Sequence, residues 1–373
     1  MKGFKLFRVL GIQISANYTW FIIFGLVAWS LAGGYFPSRY PDLTRSAHWV
    51  MGFLGAVLLF LSVLAHEVTH SYVAQREGIE VKEITLFIFG GVSQLEKEPE
   101  DPRKEFKVAI VGPLSSFALA IFFWIVSRIT AQAPNLLLVT GLMGYLAFLN
   151  LSLGVFNLIP GFPLDGGRVL RAILWSKTGS LRRATQVASE TGKWVGTGII
   201  LLGLVSILTG NLIGGFWFVI IGMFLRTAAE GGYQQTVTKG ALEGVKVRDG
   251  MSQAVLSVAP SLRIDRLVED FYLTHKHITY PVLEDDRVLG IITLKDVKDV
   301  PREKWAEKTV RDVMKPLREE ILVRPEDGAM EVLQRMVRTG EGRLPVVEGG
   351  KLIGIITRRD IMNLLEIRAD LRQ

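Results

Sequence analysis

His66, Glu67 and His70 stand inside an apolar stretch of a 373-residue chain, where such groups are costly. An α-helix rises about 1.5 Å per residue with about 3.6 residues per turn, so positions four apart lie one turn above each other on one face. His66 and His70 can therefore share one metal ion. Glu67, one step off that face, is placed to take a proton from an attacking water, the part a glutamate plays in the HExxH pattern. A pair of helix histidines satisfied by hydrogen bonds is the plainer alternative. The chain has no cysteine, which excludes thiolate ligands and leaves histidine and carboxylate as donors. Asp165 is the candidate third ligand. It closes the stretch Asn157-Leu-Ile-Pro160-Gly-Phe-Pro163-Leu164-Asp165-Gly166-Gly167, whose prolines break the helix and let the carboxylate project sideways from a turn at the edge of an apolar run.

The elements that must position these groups follow from composition. With 49% hydrophobic and 21% charged residues, the chain is too apolar for a soluble protein and too polar for membrane throughout, so two unlike parts are expected. Apolar runs at about 18–35, 48–72, 104–129, 135–159, 194–208 (starting near 188) and 212–227 predict six spans. The first is read as an uncleaved helix rather than a signal peptide, because Pro37 and not a small-residue cleavage site follows it. An even count puts both termini on one side. Lys and Arg crowd residues 1–8, 76–107 and 168–193, whereas the opposite links hold only Arg39, Arg45 and Arg128, so both ends are expected in the cytoplasm of a multi-pass cell-membrane protein. The same bias accounts for the net charge of +7, and no nucleic-acid partner is expected. Residues 79–96 hold a β-prone segment, Ile84 to Phe89, closed by Gly90-Gly91 and too short to span as a helix. It is expected beside the metal helix, with an edge open to an extended peptide; a loop resting on the membrane is the alternative. Gly112-Pro113 and Ser115-Ser116 are read as close helix packing rather than chemistry.

This set, an intramembrane His66-Glu67-Val68-Thr69-His70 with Gly90-Gly91, Gly112-Pro113 and Asn157 to Pro160 leading into Leu164-Asp165-Gly166, resembles the site-2 protease family of intramembrane zinc metalloproteases, peptidase M50-like. It is most similar to the prokaryotic six-span branch with a C-terminal tandem of CBS domains, and the resemblance covers essentially the whole chain. It implies one zinc bound by His66, His70 and Asp165, Glu67 activating water, and Asn157 in the active site with Gly90 and Gly91 as support. It also implies a single-pass membrane protein as substrate, cut in regulated intramembrane proteolysis. The fold implied is a polytopic α-helical membrane domain with a membrane-associated β segment, followed by an α/β tandem CBS module. A CBS-regulated ion transporter or channel is the rival from another class.

The tail carries a repeat of about 64 residues. Val247-Arg-Asp-Gly-Met251 recurs as Val310-Arg-Asp-Val-Met314, Tyr280-Pro281-Val282 as Leu344-Pro345-Val346, and Gly290-Ile-Ile-Thr293 as Gly354-Ile-Ile-Thr357. Domain limits are set at 1–230 for the protease domain, 231–245 for a flexible linker and 246–373 for the module, with repeats at about 246–305 and 309–368. By resemblance to nucleotide-binding CBS modules, Thr293 with Asp296 and Thr357 with Asp360 are expected to meet the phosphates and ribose of ATP, ADP or AMP. Ile278, Val282, Leu344 and Val346 would enclose the base, and Lys276 or Arg343 would meet phosphate. The module could also join two chains as a homodimer. His275 and His277 are read as surface or cleft residues.

Overall fold

The computed structural model describes residues 3–88, 90–95, 99–242, 244–285, 287–318 and 321–371. It divides into Met1–Gln234 and Gln235–Gln373.

Among the described residues, six helices are long and apolar enough to cross a membrane, all within the first unit but for the last residues of the sixth: α1 (Tyr18–Arg39), α2 (Arg45–Arg76), then, after strands β3 (Val81–Phe87) and β4 (Gly90–Leu95), α3 (Pro102–Thr130) and α4 (Leu137–Asn157), and later α6 (Leu181–Leu208) and α7 (Leu212–Leu242). Helix α1 continues past Pro37 because a π-helical turn over Leu31–Tyr35 leads into a new helical start, where proline lacks only an amide that needs no partner. Between α4 and α6 lies α5 (Asp165–Thr178), an amphipathic helix too short to span, stopped by Gly179 in the left-handed conformation. Large side chains such as Phe122, Trp124, Leu202 and Ile213 are exposed along these helices, the reverse of a soluble protein and what lipid contact requires.

Residues before the first span are more than a cationic leader. β1 (Phe4–Val9) and β2 (Ile12–Ala16) form a hairpin whose two-residue turn, Leu10-Gly11, has positive φ at both positions. β2 runs parallel to β3, Gln13 opposite Glu83 and Ala16 opposite Leu86, and β4 completes a sheet of order β1-β2-β3-β4. Ile12, Ile14 and Ile84 on its inner face pack with Leu64 and Ala74 of α2 and Val108 of α3. The β segment expected at residues 84–89 is thus a strand of this sheet as far as Phe87; Phe89 and residues 96–98 lie outside the described residues.

In the second unit, β5 (Thr279–Glu284), β6 (Arg287–Thr293), β8 (Arg343–Glu348) and β9 (Lys351–Thr357) form a sheet of order β5-β6-β9-β8, with β7 (Lys315–Pro316) beside β6. The β5/β6 register, Thr279 opposite Thr293, recurs in β8/β9 as Arg343 opposite Thr357, down to a bulge after Val282 and after Val346. A short helix α8 (Leu294–Lys298) follows β6, and α9 (Arg358–Leu371) follows β9. Residues 231–242 of the expected linker are helical as the end of α7.

Candidate metal centre

The four-residue spacing on α2 puts His66 and His70 on one face, their Nε2 atoms 3.1 Å apart. Asp165, first residue of α5, brings Oδ2 to 3.1 Å from each of them. His70 Nδ1 donates to the Val108 carbonyl at 2.6 Å, so its Nε2 presents a lone pair to this point. His66 Nδ1 lies 2.9 Å from Ser116 Oγ, which fixes the second ring. All three donors are sheltered from solvent, and the two histidines are buried. A tetrahedral zinc with bonds of about 2.0–2.2 Å separates its ligand atoms by about 3.3–3.5 Å, and a site of three protein donors leaves its fourth position open. The spacing, the lone-pair direction of His70 and the carboxylate fit that ion.

Helix α3 backs the centre along one stripe. A Cβ on Gly112 would run into the ring nitrogens of both His70 and His66, so only glycine lets α3 come this close. Val108, Gly112 and Ser116, each four residues apart, fall on that stripe. The sequence motif at 112–116 was therefore legible as close approach, yet its target, the ligand pair, was not. Val108, contributing a carbonyl, carries no side-chain signal at all.

Asp165 owes its place to a compact turn. Phe162 N–H donates to the Ala188 carbonyl of α6 at 3.0 Å, and Gly192, one turn further on, has no room for a Cβ because the Phe162 carbonyl lies against it. The Phe162–Pro163 peptide is cis. Gly166 and Gly167 abut the backbone of Leu158 to Phe162, so the helix start can fold directly onto the turn.

Glu67 is half-buried, one residue beyond His66, on the side facing the sheet. A Cβ on Gly91 of β4 would stand 3.1 Å from Glu67 Cδ, so this glycine makes room for the carboxylate. Gly90 has φ +131, a backbone side chains rarely adopt, and open space beyond its Cα: its need is conformational. Asn157 ends α4, and its Nδ2 donates to the Leu153 carbonyl of its own helix at 3.1 Å.

Residues 54–138 and 127–202 match the family model Peptidase family M50, and residues 245–303 and 310–367 each match the CBS domain. The chain is 35% identical to zinc metalloprotease MJ0392 of Methanocaldococcus jannaschii, over 99% of its own length and 98% of that protein. The chain belongs to peptidase family M50. As an M50 metalloprotease with a CBS tandem, it is an enzyme, and the transporter reading is set aside. Rip3 of Mycobacterium tuberculosis is 34% identical over 96% of this chain and 92% of its own. A solved site-2 protease from M. jannaschii is 33% identical, with a TM-score of 0.43, covering 62% of this chain and 95% of that one.

In the tail, Thr293 and Asp296 form a capping box at the start of α8: Asp296 Oδ2 accepts from Thr293 N and Oγ1 at 2.9 and 2.6 Å. Thr357 and Asp360 repeat it at the start of α9, at 2.9 and 2.7 Å. Each aspartate thus has one oxygen committed to its helix. Asp296 Oδ1 also lies 3.3 Å from Lys315 Nζ. Burial lowers the Lys315 pKa, but Glu341 and Asp296 outweigh it and hold the ammonium above its ordinary value. In the other repeat the position after Met251 is Ser252, so the two aspartates differ in their surroundings. Val282, Leu344 and Val346, expected to enclose a base, are fully buried core residues of the two repeats and correct that expectation. The two Pro-Val segments lie on the outer strands β5 and β8, where Val282 belongs to the core of Ile264 and Leu267 and Val346 to that of Val332 and Met336. Ile278 is exposed.

Proposed function

We propose that this protein is an intramembrane zinc metalloprotease of the site-2 protease type that cuts a transmembrane segment of a single-pass membrane protein, as in regulated intramembrane proteolysis. The observation that carries it is the convergence of His66 Nε2, His70 Nε2 and Asp165 Oδ2 within 3.1 Å of one another, beside Glu67. These three residues would hold a zinc ion, which would supply Lewis acidity to a peptide carbonyl and to the attacking water. Glu67 accepts the proton of the attacking water and returns it to the leaving amine. Ser116 and the Val108 carbonyl hold the imidazoles so that only Nε2 faces the reacting atoms.

A transmembrane helix hides its amides in its own hydrogen bonds, so the substrate must be drawn out before it is cut. β4 ends the sheet order, and among the described residues its far edge pairs with no strand. An unwound segment added to that edge passes Gly91, which abuts Glu67. Asn157 is assigned here as a support residue at the end of α4. The protease domain spans 1–230, the link 231–245 and the module 246–373, with the N-terminus and the module in the cytoplasm. The module binds ATP, ADP or AMP at Thr293/Asp296 or Thr357/Asp360 and, by favouring one arrangement of the chain, modulates cleavage; two chains pair through it. Exposed Ile278 remains available to an adenine ring.

The test is purified protein in lipid nanodiscs with a membrane-peptide substrate. One zinc per chain is expected, with Glu67→Gln retaining the metal and losing cleavage by roughly a hundredfold or more. Cleavage by Glu67→Gln at near wild-type rate would refute the assignment.

A further inference from the structure

Two of the three metal-binding side chains are tied directly to α3, His70 through the Val108 carbonyl and His66 through Ser116. Asp165 sits on α5, and its tie to α3 is indirect. Glu105, one turn above Val108 on the same stripe of α3, is completely buried. Its Oε1 accepts from Arg171 Nε at 2.6 Å and from Arg171 Nη2, and Arg168 Nε stands 4.0 Å away. Arg171 is itself buried, with its guanidinium over the Phe162 ring at 4.9 Å. One arginine therefore joins α3, α5 and the turn that precedes Asp165. Arg171 follows Asp165 by six residues, about 9 Å along the same helix.

We propose that Glu105 and Arg171 are a positioning pair that sets the height and rotation of α5 on α3, and through them the placement of Asp165 against His66 and His70. The inference rests on the metal-binding reading above. Burying an ion pair is a poor way to stabilise a fold, since desolvation offsets much of the attraction. Glu105 Oε2 is buried without a hydrogen-bond partner among the described residues, which adds to that cost. What the pair supplies instead is direction: a forked guanidinium on one carboxylate oxygen, backed by an aromatic face, admits little sliding of α5 along α3. On this account the residues 105, 108, 112 and 116 of α3 form one ruler against which all three metal donors are set.

The experiment is cobalt(II) binding by the full-length protein in nanodiscs, by competition with a chelator and by the visible d–d spectrum, which reports the ligand set. Wild type, Asp165→Ala, Glu105→Gln and Arg171→Met are compared with Gly203→Ala, whose Cβ would meet the Gly215 carbonyl at 2.7 Å and so strains α6–α7 packing without touching α3 or the pair. Glu105→Gln and Arg171→Met are expected to bind cobalt roughly tenfold to a hundredfold more weakly with an altered spectrum. Gly203→Ala is expected to lower the melting temperature with cobalt affinity within about threefold of wild type. The exchanged pair Glu105→Arg with Arg171→Glu is expected to regain part of the loss. If Glu105→Gln and Arg171→Met do not fold, Glu105→Met with Arg171→Met, which leaves no unpaired buried charge, takes their place and carries the same expectation. Wild-type affinity and spectrum in the folded variants overturn the positioning pair. Wild type that binds no cobalt, or Asp165→Ala that binds it as well as wild type does, instead overturns the metal site on which the pair depends.

Discussion

Replacing Gly112 with alanine separates a site built by close approach from one built by side chains alone. The new Cβ would lie 2.5 Å from His70 Cε1 and 2.7 Å from His66 Nε2, with His70 Nε2 nearer still. Ordinary contact begins near 3.4 Å, so α3 or the rings must give by about 0.7 Å at His66 and more at His70. The rings have no easy retreat, because both Nδ1 atoms are held by α3 itself, through Val108 and Ser116. Productive metal sites tolerate about 0.5 Å of misplacement. The alanine is therefore expected to weaken zinc binding by roughly tenfold to a hundredfold and activity at least as much, with an overpacking cost of about 1–3 kcal/mol in stability. The matched control is Gly198→Ala on α6, where a Cβ meets nothing within 4 Å. It is expected to leave metal affinity unchanged and to raise stability by about 0.4–1 kcal/mol through a stiffer unfolded chain. Chelator competition and thermal melts of both variants in nanodiscs make the comparison. Wild-type zinc affinity in Gly112→Ala would show that α3 does not define the ligand geometry.

Ser116→Ala removes one hydrogen bond to His66 and no volume conflict arises; a loss of zinc affinity of about five- to tenfold is expected, and a loss exceeding that of Gly112→Ala would contradict the ranking. Asp165→Ala should lower bound zinc in elemental analysis, whereas full occupancy in that variant would remove Asp165 from the ligand set. Since the chain has no cysteine, a single one at Ser180 should react with an impermeant reagent only after cells are opened; labelling of intact cells would reverse the orientation. In calorimetry on the whole protein with ATP, ADP and AMP, Asp360→Ala should weaken the best ligand more than Asp296→Ala, whose partner oxygen already faces Lys315; equal effects would mean the two repeats bind alike.

What could be read without coordinates was whatever periodicity encodes within one element. The four-residue step from His66 to His70 dictates a shared helical face, prolines at 160 and 163 forbid continuing the helix before Asp165, apolar runs dictate six spanning helices, and the 64-residue repeat dictates two copies of one strand pair. The Ile12-Gln-Ile14 alternation after Leu10-Gly11 was an available strand signal, masked by the basic residues that make the N-terminus look like a leader. Tertiary structure alone decided which elements meet those faces. That α3 holds both imidazoles from behind, that β2 joins β3 in parallel from 70 residues away, and that Glu105 faces Arg171 are pairings between distant segments. A sequence pattern marks a face as apolar, small or polar, but it does not name its partner. The same limit explains Val282, Leu344 and Val346, whose apolar character suits a base-binding wall and a core equally, and which packing assigned to the core.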